Sequence, residues 1–450
     1  MIKKINFLIS FLLLILFVGC SFDKKTGIWS GNEEEKTRIS NLKKEKKEQK
    51  EIIKIYSSES VFAREVPAVK NISLTEPKTN SSWEMSGLNL QNSLGNIYLS
   101  GIENNFLKKK IGKNKFSISK VMSSPLFFNG NIIFADDAGT IFNINQKGKV
   151  NWKRNIYKKI YKKIYKILVF TINSNKIYIA DNIGFVYAIN ASNGKIIWIK
   201  NHGIPIKSNI KVFDDKIFLI NQDNRLLCFD VEKGSIIWDV RSISSFIKSQ
   251  NFLSLAISKD GELIALNSSG DLTKVQANNG KIHWTFNAGG SVFAHDADFI
   301  QSSQVVINNN DIIFSVSSSV FSFNIKNGYL NWKLDIETNN IPIIDGDNIF
   351  LVSDNGYFVN LDKETGKIIW STNILKILKK KKQLTQITGI VMGSGMIYAT
   401  TLNGHLIVSS ATSGKVEYFK KIGDILTAAP IISDGSFYVL TENSRILGFN

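Results

Sequence analysis

The chain has 450 residues, of which 43% are hydrophobic, so it is long and apolar enough to form a large folded core. With two cysteines in total, Cys20 and Cys228, it has no disulfide framework to stabilise the fold. The formal net charge is +18, but lysine is spread along the chain together with abundant Asn and Ile. We therefore exclude a nucleic-acid partner and expect a basic surface directed at anionic lipid or at an acidic partner.

The N-terminus has the features of an export signal. Lys3 and Lys4 precede an apolar stretch from Ile5 to Val18, which is shorter than the roughly 20 residues of a spanning helix. We predict a signal peptide at residues 1–19. The sequence Phe-Val-Gly-Cys-Ser at 17–21 resembles a bacterial lipobox, with Phe17 in the usual place of Leu. This resemblance implies lipidation of Cys20, and a Ser after the cysteine implies the outer membrane. An ordinary cleaved signal is the alternative.

Residues 20–82 are dense in charge and lack strand periodicity, as at 33–35 and 43–48. Such a segment buries too little apolar area to offset the entropy of ordering. We predict a flexible tether from 20 to 82 and a folded domain from 83 to 450, opened by Trp83.

A short phrase, Gly-x-x-x-Trp, recurs in the folded part, once with Tyr in place of Trp. The aromatic residues are Trp152, Trp198, Trp238, Trp284, Trp332, Trp370 and Tyr418. Their spacing of about 40 to 50 residues is typical of a repeat of four short strands. The glycine suits a turn with positive φ, and we expect the aromatic rings to dock between neighbouring repeats.

A hairpin precedes each phrase, and an eighth hairpin ends the chain at Asn450, where no outer strand follows. The segment Phe106–Ile111 is the candidate for the missing strand. Closing the ring in this way removes the last free sheet edges. We therefore predict an all-β, eight-bladed β-propeller of four-stranded antiparallel blades, closed by an N-terminal strand.

The phrases at 188–198 and 361–370 resemble the tryptophan-docking repeat of quinoprotein propellers. Two families share this repeat: the pyrroloquinoline-quinone (PQQ) dehydrogenases, and BamB, the lipoprotein of the β-barrel assembly machinery. The enzymes resemble one another in a vicinal disulfide, a Ca²⁺ site and an aspartate base. This sequence has no adjacent cysteines and no spaced set of Glu, Asn and Asp for Ca²⁺. The resemblance to BamB implies a non-catalytic scaffold without cofactor or metal. A PQQ dehydrogenase and a hub for another envelope complex are the alternatives.

The BamB resemblance also implies a partner site. Phe246, Ile247 and Lys248 match a family loop of the Leu-x-Leu-Arg-Gly kind, and Asp296 and Asp298 match an Asp-x-Asp pair. In the family these loops bind the periplasmic domains of the central barrel protein.

Propeller connectivity places four insertions, at 153–170, 241–251, 287–299 and 371–386, on one face, since each joins an outer strand to the next inner strand. Asp136 and Asp137, in a hairpin turn, are expected on the opposite face.

Three features have two interpretations. His295 with Asp296 and Asp298 forms either a metal site or a solvated loop, and we predict the loop, because ligands so close in sequence rarely converge. The period-four repeat from Tyr157 to Tyr165 is either an amphipathic turn that reaches lipid or a partner, or an expanded loop. Cys228 lies in an apolar run, which favours a buried structural thiol over a nucleophile.

Overall fold

The computed structural model describes residues 62–113, 123–241, 253–288, 301–378 and 385–450, together with the isolated positions 37 and 40. In this part of the chain, 32 β-strands form eight four-stranded antiparallel sheets. Two short 3-10 helices lie at Lys159–Lys163 and Ile374–Leu378. The predicted eight-bladed β-propeller is confirmed.

Each blade comprises four strands in the order inner, second, third and outer. Blades 1 and 2 contain β2 (Leu126–Phe128), β3 (Asn131–Ala135), β4 (Thr140–Asn145) and β5 (Val150–Asn155), then β6 (Leu168–Asn173), β7 (Lys176–Asp181), β8 (Phe185–Asn190) and β9 (Ile196–Asn201). Blades 3 and 4 contain β10 (Lys211–Phe213), β11 (Lys216–Ile220), β12 (Arg225–Asp230) and β13 (Ile236–Arg241), then β14 (Ser254–Ile257), β15 (Glu262–Leu266), β16 (Asp271–Gln276) and β17 (Ile282–Asn287). Blades 5 and 6 contain β18 (Val306–Asn308), β19 (Asp311–Val316), β20 (Ser319–Asn324) and β21 (Leu330–Leu334), then β22 (Ile343–Asp345), β23 (Asn348–Val352), β24 (Tyr357–Asp362) and β25 (Ile368–Asn373). Blades 7 and 8 contain β26 (Ile387–Gly393), β27 (Met396–Thr401), β28 (His405–Ser410) and β29 (Val416–Lys421), then β30 (Ile431–Ser433), β31 (Ser436–Leu440), β32 (Arg445–Phe449) and β1 (Leu107–Lys110).

The second and third strands form the core. They are buried almost throughout, as in β7, because each blade packs between two neighbours. Such strands carry continuous runs of Ile, Val and Phe rather than an alternating pattern. The outer strands, for example β5, are largely exposed. Inner strands of successive blades contact one another, as β2 contacts β6 and β10 contacts β14, so the inner strands line the central axis.

The N-terminal strand closes the ring as predicted. β1 pairs antiparallel with β32 from Leu107, opposite Gly448, to Lys110, opposite Arg445. β1 therefore serves as the outer strand of blade 8. Leu107 is buried, and its side chain lies against Gly148 of blade 1.

The Gly-x-x-x-Trp phrases join neighbouring blades. The glycine of every phrase has positive φ, for example 66° at Gly194, which confirms the predicted turn. A register shift next to each aromatic residue, as between Ala188 and Ile189 opposite Trp198, re-aims its side chain out of the regular alternation. The Trp152 ring lies against Gly194 of the next blade, and its Nε1 donates to the Ala191 carbonyl at 2.9 Å.

The same indole-to-carbonyl bond recurs at four further tryptophans, Trp198, Trp238, Trp284 and Trp332. Trp370 packs on Gly414, but its Nε1 is buried without a hydrogen-bond partner. Tyr418, at the seventh position, is 41% exposed.

Residues 62–102 run along the propeller in two named segments. The strap, residues 62–70, lies along the outer edge of blade 6, where Val66 pairs with Ser371. The axial cap, residues 83–100, crosses one end of the central axis. Between them, the Thr75 N–H donates to Asp345 at 2.8 Å, and Asn80 Nδ2 donates to the Ile432 carbonyl at 3.0 Å. The domain boundary predicted at residue 82 thus falls within a stretch that contacts blades 6 and 8.

Candidate partner-binding surface

The propeller has two unlike faces. The first turn of a blade joins its inner and second strands, and the third turn joins its third and outer strands; these turns lie on one face, here called the turn face. The second turn joins the second and third strands, and it lies with the blade-to-blade connections on the other face, the connection face. Asp136 and Asp137 belong to the second turn of blade 1, and the Lys166 N–H of the connection to blade 2 donates to the Asp137 carbonyl at 3.2 Å. The prediction that these two aspartates lie opposite the insertions is therefore wrong, because second turns and connections share a face.

The five residues of the expected partner site, Phe246, Ile247, Lys248, Asp296 and Asp298, lie outside the described residues. The strand ends that flank them are described. β13 ends at Arg241 before the first loop, and β17 ends at Asn287 before the second. The described strand ends on either side of residues 242–252 and 289–300, here called the two loops, therefore lie on the connection face of blades 3, 4 and 5.

The second turns of blades 3 and 4 are linked by a buried polar network near these loops. Asn224 Nδ2 donates to Ser268 Oγ at 2.6 Å, and the Ser268 N–H donates back to Asn224 Oδ1 at 3.2 Å. Asp271 accepts from Asn267 Nδ2 at 2.9 Å and from Asn287 Nδ2 at 2.6 Å. Asn287 ends β17, and Asn224 precedes Arg225, which pairs with Arg241 at the end of β13, so these bonds lie next to the strand ends from which both loops leave.

A small cleft of about 30 Å³ lies between blades 3 and 4, and its lining surface is mostly apolar, with Arg241, Asn267 and Thr285 among the residues that contribute to it. The first loop begins directly at Arg241.

The Tyr-Lys repeat forms the connection between blades 1 and 2. Tyr157, Tyr161 and Tyr165 are buried against the propeller, whereas Lys159 and Lys163 are exposed. The repeat thus presents lysines rather than aromatic rings to the outside, and its rings are not free to enter lipid.

Asp181 anchors this connection, and sequence reasoning missed it. Its Oδ2 accepts from the Tyr157 hydroxyl at 2.5 Å, and its Oδ1 accepts backbone N–H groups of residues 183, 184 and 185. Burial raises the pKa of the Asp181 carboxyl and of the Tyr157 hydroxyl. Little in the sequence indicates this contact, because Asp181 and Tyr157 meet only after blades 1 and 2 pack together.

A second carboxylate lies on the connection face of blade 6. Asp354 accepts from the Asn339 N–H at 3.0 Å and from Asn339 Nδ2 at 2.5 Å. Burial raises the pKa of Asp354 to about 6. Asn339 also donates to Gln301, the first described residue after loop 289–300.

The axial cap bonds to seven of the eight blades in chain order. Trp83 pairs with Phe127 of blade 1, Glu84 accepts from Ile172 of blade 2, and Leu90 accepts from Ile257 of blade 4. Further along, Gln91 accepts from blade 5, Ile97 bonds to blade 7, and the Ser100 N–H donates to the Gly435 carbonyl of blade 8 at 3.0 Å. These partners lie near the ends of inner strands that lead into first turns, so the cap covers the turn-face end of the axis.

Lys211 of blade 3 binds the centre of the cap. Its buried Nζ donates to the Ser86 carbonyl at 3.0 Å, the Asn89 carbonyl at 2.6 Å and Asn92 Oδ1 at 2.6 Å. An ammonium has three donors, and here they match three acceptors. Burial lowers the pKa of Lys211 to about 7.

Asn92, which has a φ of 57°, also donates to the carbonyls of Leu255 and Val305 at 2.8 and 2.7 Å. It therefore ties the centre of the cap to blades 4 and 5.

The other candidates have the following positions. Cys228 is a buried free thiol in β12, as predicted, and burial raises its pKa to about 12. Cys20 and His295 lie outside the described residues. Within the described ranges, no group of three His, Cys, Asp or Glu side chains is placed to hold a metal ion. Nor is any helix in those ranges long and apolar enough to span a membrane.

A closed ring of eight blades, with Gly-x-x-x-Trp phrases packed between neighbouring blades, defines a propeller of the quinoprotein class. A family model described as "Outer membrane protein assembly factor BamB" matches residues 137–372, more than half of the chain. The chain belongs to this family.

Individual relatives carry the same description. The Outer membrane protein assembly factor BamB of Shewanella oneidensis is 23% identical over 281 residues, covering 61% of this chain and 69% of that protein. The protein of the same description from Moranella endobia is 20% identical, covering 62% of this chain and 62% of that protein. The chain thus spans less than two thirds of the Moranella relative.

Solved structures show the same fold. BamB from Moraxella catarrhalis superposes with a TM-score of 0.61 at 12% identity, covering 76% of this chain and all of that one. A quinohemoprotein alcohol dehydrogenase from Comamonas testosteroni gives 0.63 at 11% identity, covering 82% of this chain and 80% of that one. At such identities the likeness concerns architecture alone.

Proposed function

We propose that this chain is a lipid-anchored, non-catalytic scaffold of the outer-membrane β-barrel assembly machinery. In this proposal, loops 242–252 and 289–300 bind the periplasmic domains of the central barrel protein. Lys248, Asp296 and Asp298 fix the register of the complex through charge, and Phe246 and Ile247 supply the apolar contact.

The family match carries this proposal. It covers residues 137–372 and so includes both loops and the whole of blade 4 between them. The relatives that share the match are described as outer membrane protein assembly factors. The quinoprotein enzymes, in contrast, are similar in fold alone.

The arrangement of the two faces supports the choice of surface. The axial cap and the segment that joins it to the strap lie against the turn face, where Thr75 bonds to Asp345. The strand ends that flank the proposed loops lie on the connection face, beside the buried polar network of blades 3 and 4. A partner there does not have to displace the cap.

The cap also supports a scaffold without a cofactor. Ligand sites in closed β structures are commonly in the mouths of the ring. At the turn-face mouth, the backbone of the cap is bonded to the inner strands, and Lys211 uses its donors on the cap itself. We propose that no quinone binds on the axis.

The anchor is proposed at Cys20. Position 62 is 42 residue steps beyond Cys20, by subtraction, and a fully extended chain of this length spans at most about 150 Å. The strap starts at the connection face, where Asn355 Nδ2 donates to the Phe62 carbonyl at 2.6 Å. Replacing Cys20 with Ser should abolish fatty-acid labelling and release the protein from outer-membrane fractions. Labelling that persists would contradict the anchor.

Co-purification from detergent-solubilised membranes tests the partner site. The double variant Asp296→Lys with Asp298→Lys should recover at least tenfold less barrel protein than the wild type. The matched control is Asp260→Lys with Asp347→Lys, two exposed carboxylates on the turn face with the same charge change. The control should recover the barrel protein normally, and both variants should melt like the wild type.

Two results would reject the proposal. Equal losses from both double variants would remove the assignment to the connection face. Recovery of a different envelope complex by the wild type would make the chain a hub for that complex. A separate assay addresses catalysis: with PQQ, Ca²⁺ and alcohol or sugar substrates, the purified protein should reduce no dye, and turnover would establish a dehydrogenase.

A further inference from the structure

The outer edge of blade 6 is covered by the strap, which acts as an added strand. Val66 and Ser371 exchange both backbone hydrogen bonds, at 3.0 and 2.9 Å, and the Val69 N–H donates to the Ile369 carbonyl at 3.1 Å. At one end, Lys70 Nζ lies 2.7 Å from Asp362 Oδ2. Glu65 forms a second ion pair, with Lys376 Nζ at 2.8 Å, and the Phe62 ring contacts the Tyr357 ring. The strap therefore combines backbone pairing, apolar contact and two ion pairs.

The strap changes the exposure of the strand beneath it. β25 contains Ile-Ile-Trp, and its second isoleucine, Ile369, is 2% exposed. The same three residues occur in β9 and β13, where the matching Ile197 is 44% exposed and Ile237 is 47% exposed. An apolar edge strand without a neighbour is a site for pairing with another strand.

Blade 3, like blade 6 and unlike blade 2, has an aspartate at the start of its third turn, the position that pairs with the lysine of the strap in blade 6. Asp362 begins the third turn of blade 6, where its carbonyl accepts from Gly366 at 2.8 Å and its Oδ1 accepts from the Thr365 N–H at 3.1 Å. Asp230 begins the third turn of blade 3, with the matching bonds from Gly234 at 2.9 Å and from the Lys233 N–H at 2.6 Å. Blade 2 has Asn190, which carries no charge.

We propose that the outer edge of blade 3, formed by β13 and Asp230, binds an extended segment of a partner protein by strand addition. The segment carries an apolar residue opposite Ile237, as Val69 of the strap lies opposite Ile369, and directly after it a lysine or arginine for Asp230, as Lys70 pairs with Asp362. Backbone hydrogen bonds supply affinity, and the isoleucine and aspartate select the sequence. This surface lies on the outer rim and is independent of the proposed function.

The occupant is a partner rather than a second copy of this chain. Among the described residues, the segment of this chain that pairs with such an edge is the strap, and it is already bound to blade 6 of its own molecule. Intramolecular binding has a high effective concentration, so the strap is not available to another copy. Pro67 in the strap has no N–H group, which limits further pairing on its outer side.

A peptide of residues 62–70, Phe-Ala-Arg-Glu-Val-Pro-Ala-Val-Lys, is a direct probe. We expect saturable binding of the fluorescein-labelled peptide to the full chain, measured by fluorescence anisotropy. Ile237→Lys and, separately, Asp230→Asn should each weaken this binding at least tenfold. The matched control, Ile197→Lys in blade 2, should leave it unchanged, and all three variants should keep the wild-type melting temperature.

The other outcomes overturn the proposal. One is the absence of saturable binding. Another is binding that Ile237→Lys leaves intact but that Asp362→Asn strengthens, which would show the peptide replacing the strap on blade 6. A third is a concentration-dependent dimer that Ile237→Lys abolishes, which would assign the edge to a second copy of the chain.

Discussion

Two buried polar residues, Lys211 and Asn92, hold the centre of the axial cap to the propeller. Lys211 and Asn92 provide five hydrogen bonds between the cap and blades 3, 4 and 5, counting the shared bond once. A buried ammonium is costly unless its donors are used, and here all three are. The centre of the cap, residues 86–92, is therefore held to blade 3 by one side chain, and its substitution is informative.

Replacing Lys211 with Met should loosen the cap without unfolding the ring. Met keeps the apolar stem but leaves three acceptors without a donor, each a loss of about 1–3 kcal/mol unless water replaces it. We expect hydrogen exchange at residues 84–93 to accelerate at least tenfold, with β19 unchanged. Lys176→Met, at a lysine paired with Glu232, is the control and should leave exchange in the cap unaltered. Equal protection of the cap in Lys211→Met would contradict its role.

Asp354 should make stability depend on pH in a defined direction. Its pKa is raised from 3.8 to about 6, so the folded state binds more protons than the unfolded state between these values. Stability from this group is therefore present at low pH and is lost as pH rises from about 4 to 6, by up to about 3 kcal/mol.

The Asp354→Asn variant is neutral at all pH values, so it should gain stability relative to the wild type over the same interval. Denaturant unfolding at pH 4, 5, 6 and 7 measures this difference. A wild-type to variant difference that is flat with pH would show that the carboxyl is not perturbed in solution.

At the scale of elements, the outer strands determine how blades meet. The sequence predicted the docking phrases because glycine with positive φ and a large aromatic residue leave a local signature. It also predicted β1, because eight hairpins and seven outer strands leave one vacancy in the ring. The strap and the cap were missed because they have no periodicity and their partners are distant in the sequence, 44 positions away from Trp83 to Phe127 and 335 from Ser100 to Gly435, by subtraction.

Removing residues 104–112 should sharply lower stability. Without β1, the edge of β32 becomes exposed, the packing of Leu107 against Gly148 is lost, and blade 8 becomes a three-stranded sheet. Thermal unfolding by circular dichroism measures the effect. As a point substitution, Leu107→Asp should cost several kcal/mol because it buries a charge, whereas Lys108→Asp, at the exposed next position, should cost about 0.5 kcal/mol or less. A truncated protein that melts like the full chain would show that the ring does not need this strand.

At the scale of the whole molecule, the fold was more predictable than the site. Repeats specify the ring many times over, so a single irregular phrase such as Tyr418 does not obscure it. Partner contacts in loops are specified once, without a period, and the resemblance that points to Lys248 and Asp296 spans only a few residues. The error over Asp136 and Asp137 arose at this scale, since it concerned which turns share a face rather than whether a turn forms.

The two faces of the ring divide the molecule by role. The turn face receives the axial cap and the segment that joins it to the strap, and the connection face carries the strand ends that flank the loops proposed to meet the partner. The strap begins at the connection face and ends at the turn face, where Lys70 meets Asp362. An account of this protein as a scaffold therefore depends on which face contacts the barrel protein in the cell.

Site-specific photocrosslinking in intact cells tests this most directly. A photoreactive amino acid at position 247, in the first proposed loop, should form an adduct with the central barrel protein. The same amino acid at position 260, on the turn face of blade 4, should not. An adduct from position 260 with none from position 247, or no adduct with the barrel protein from either position, would contradict the account.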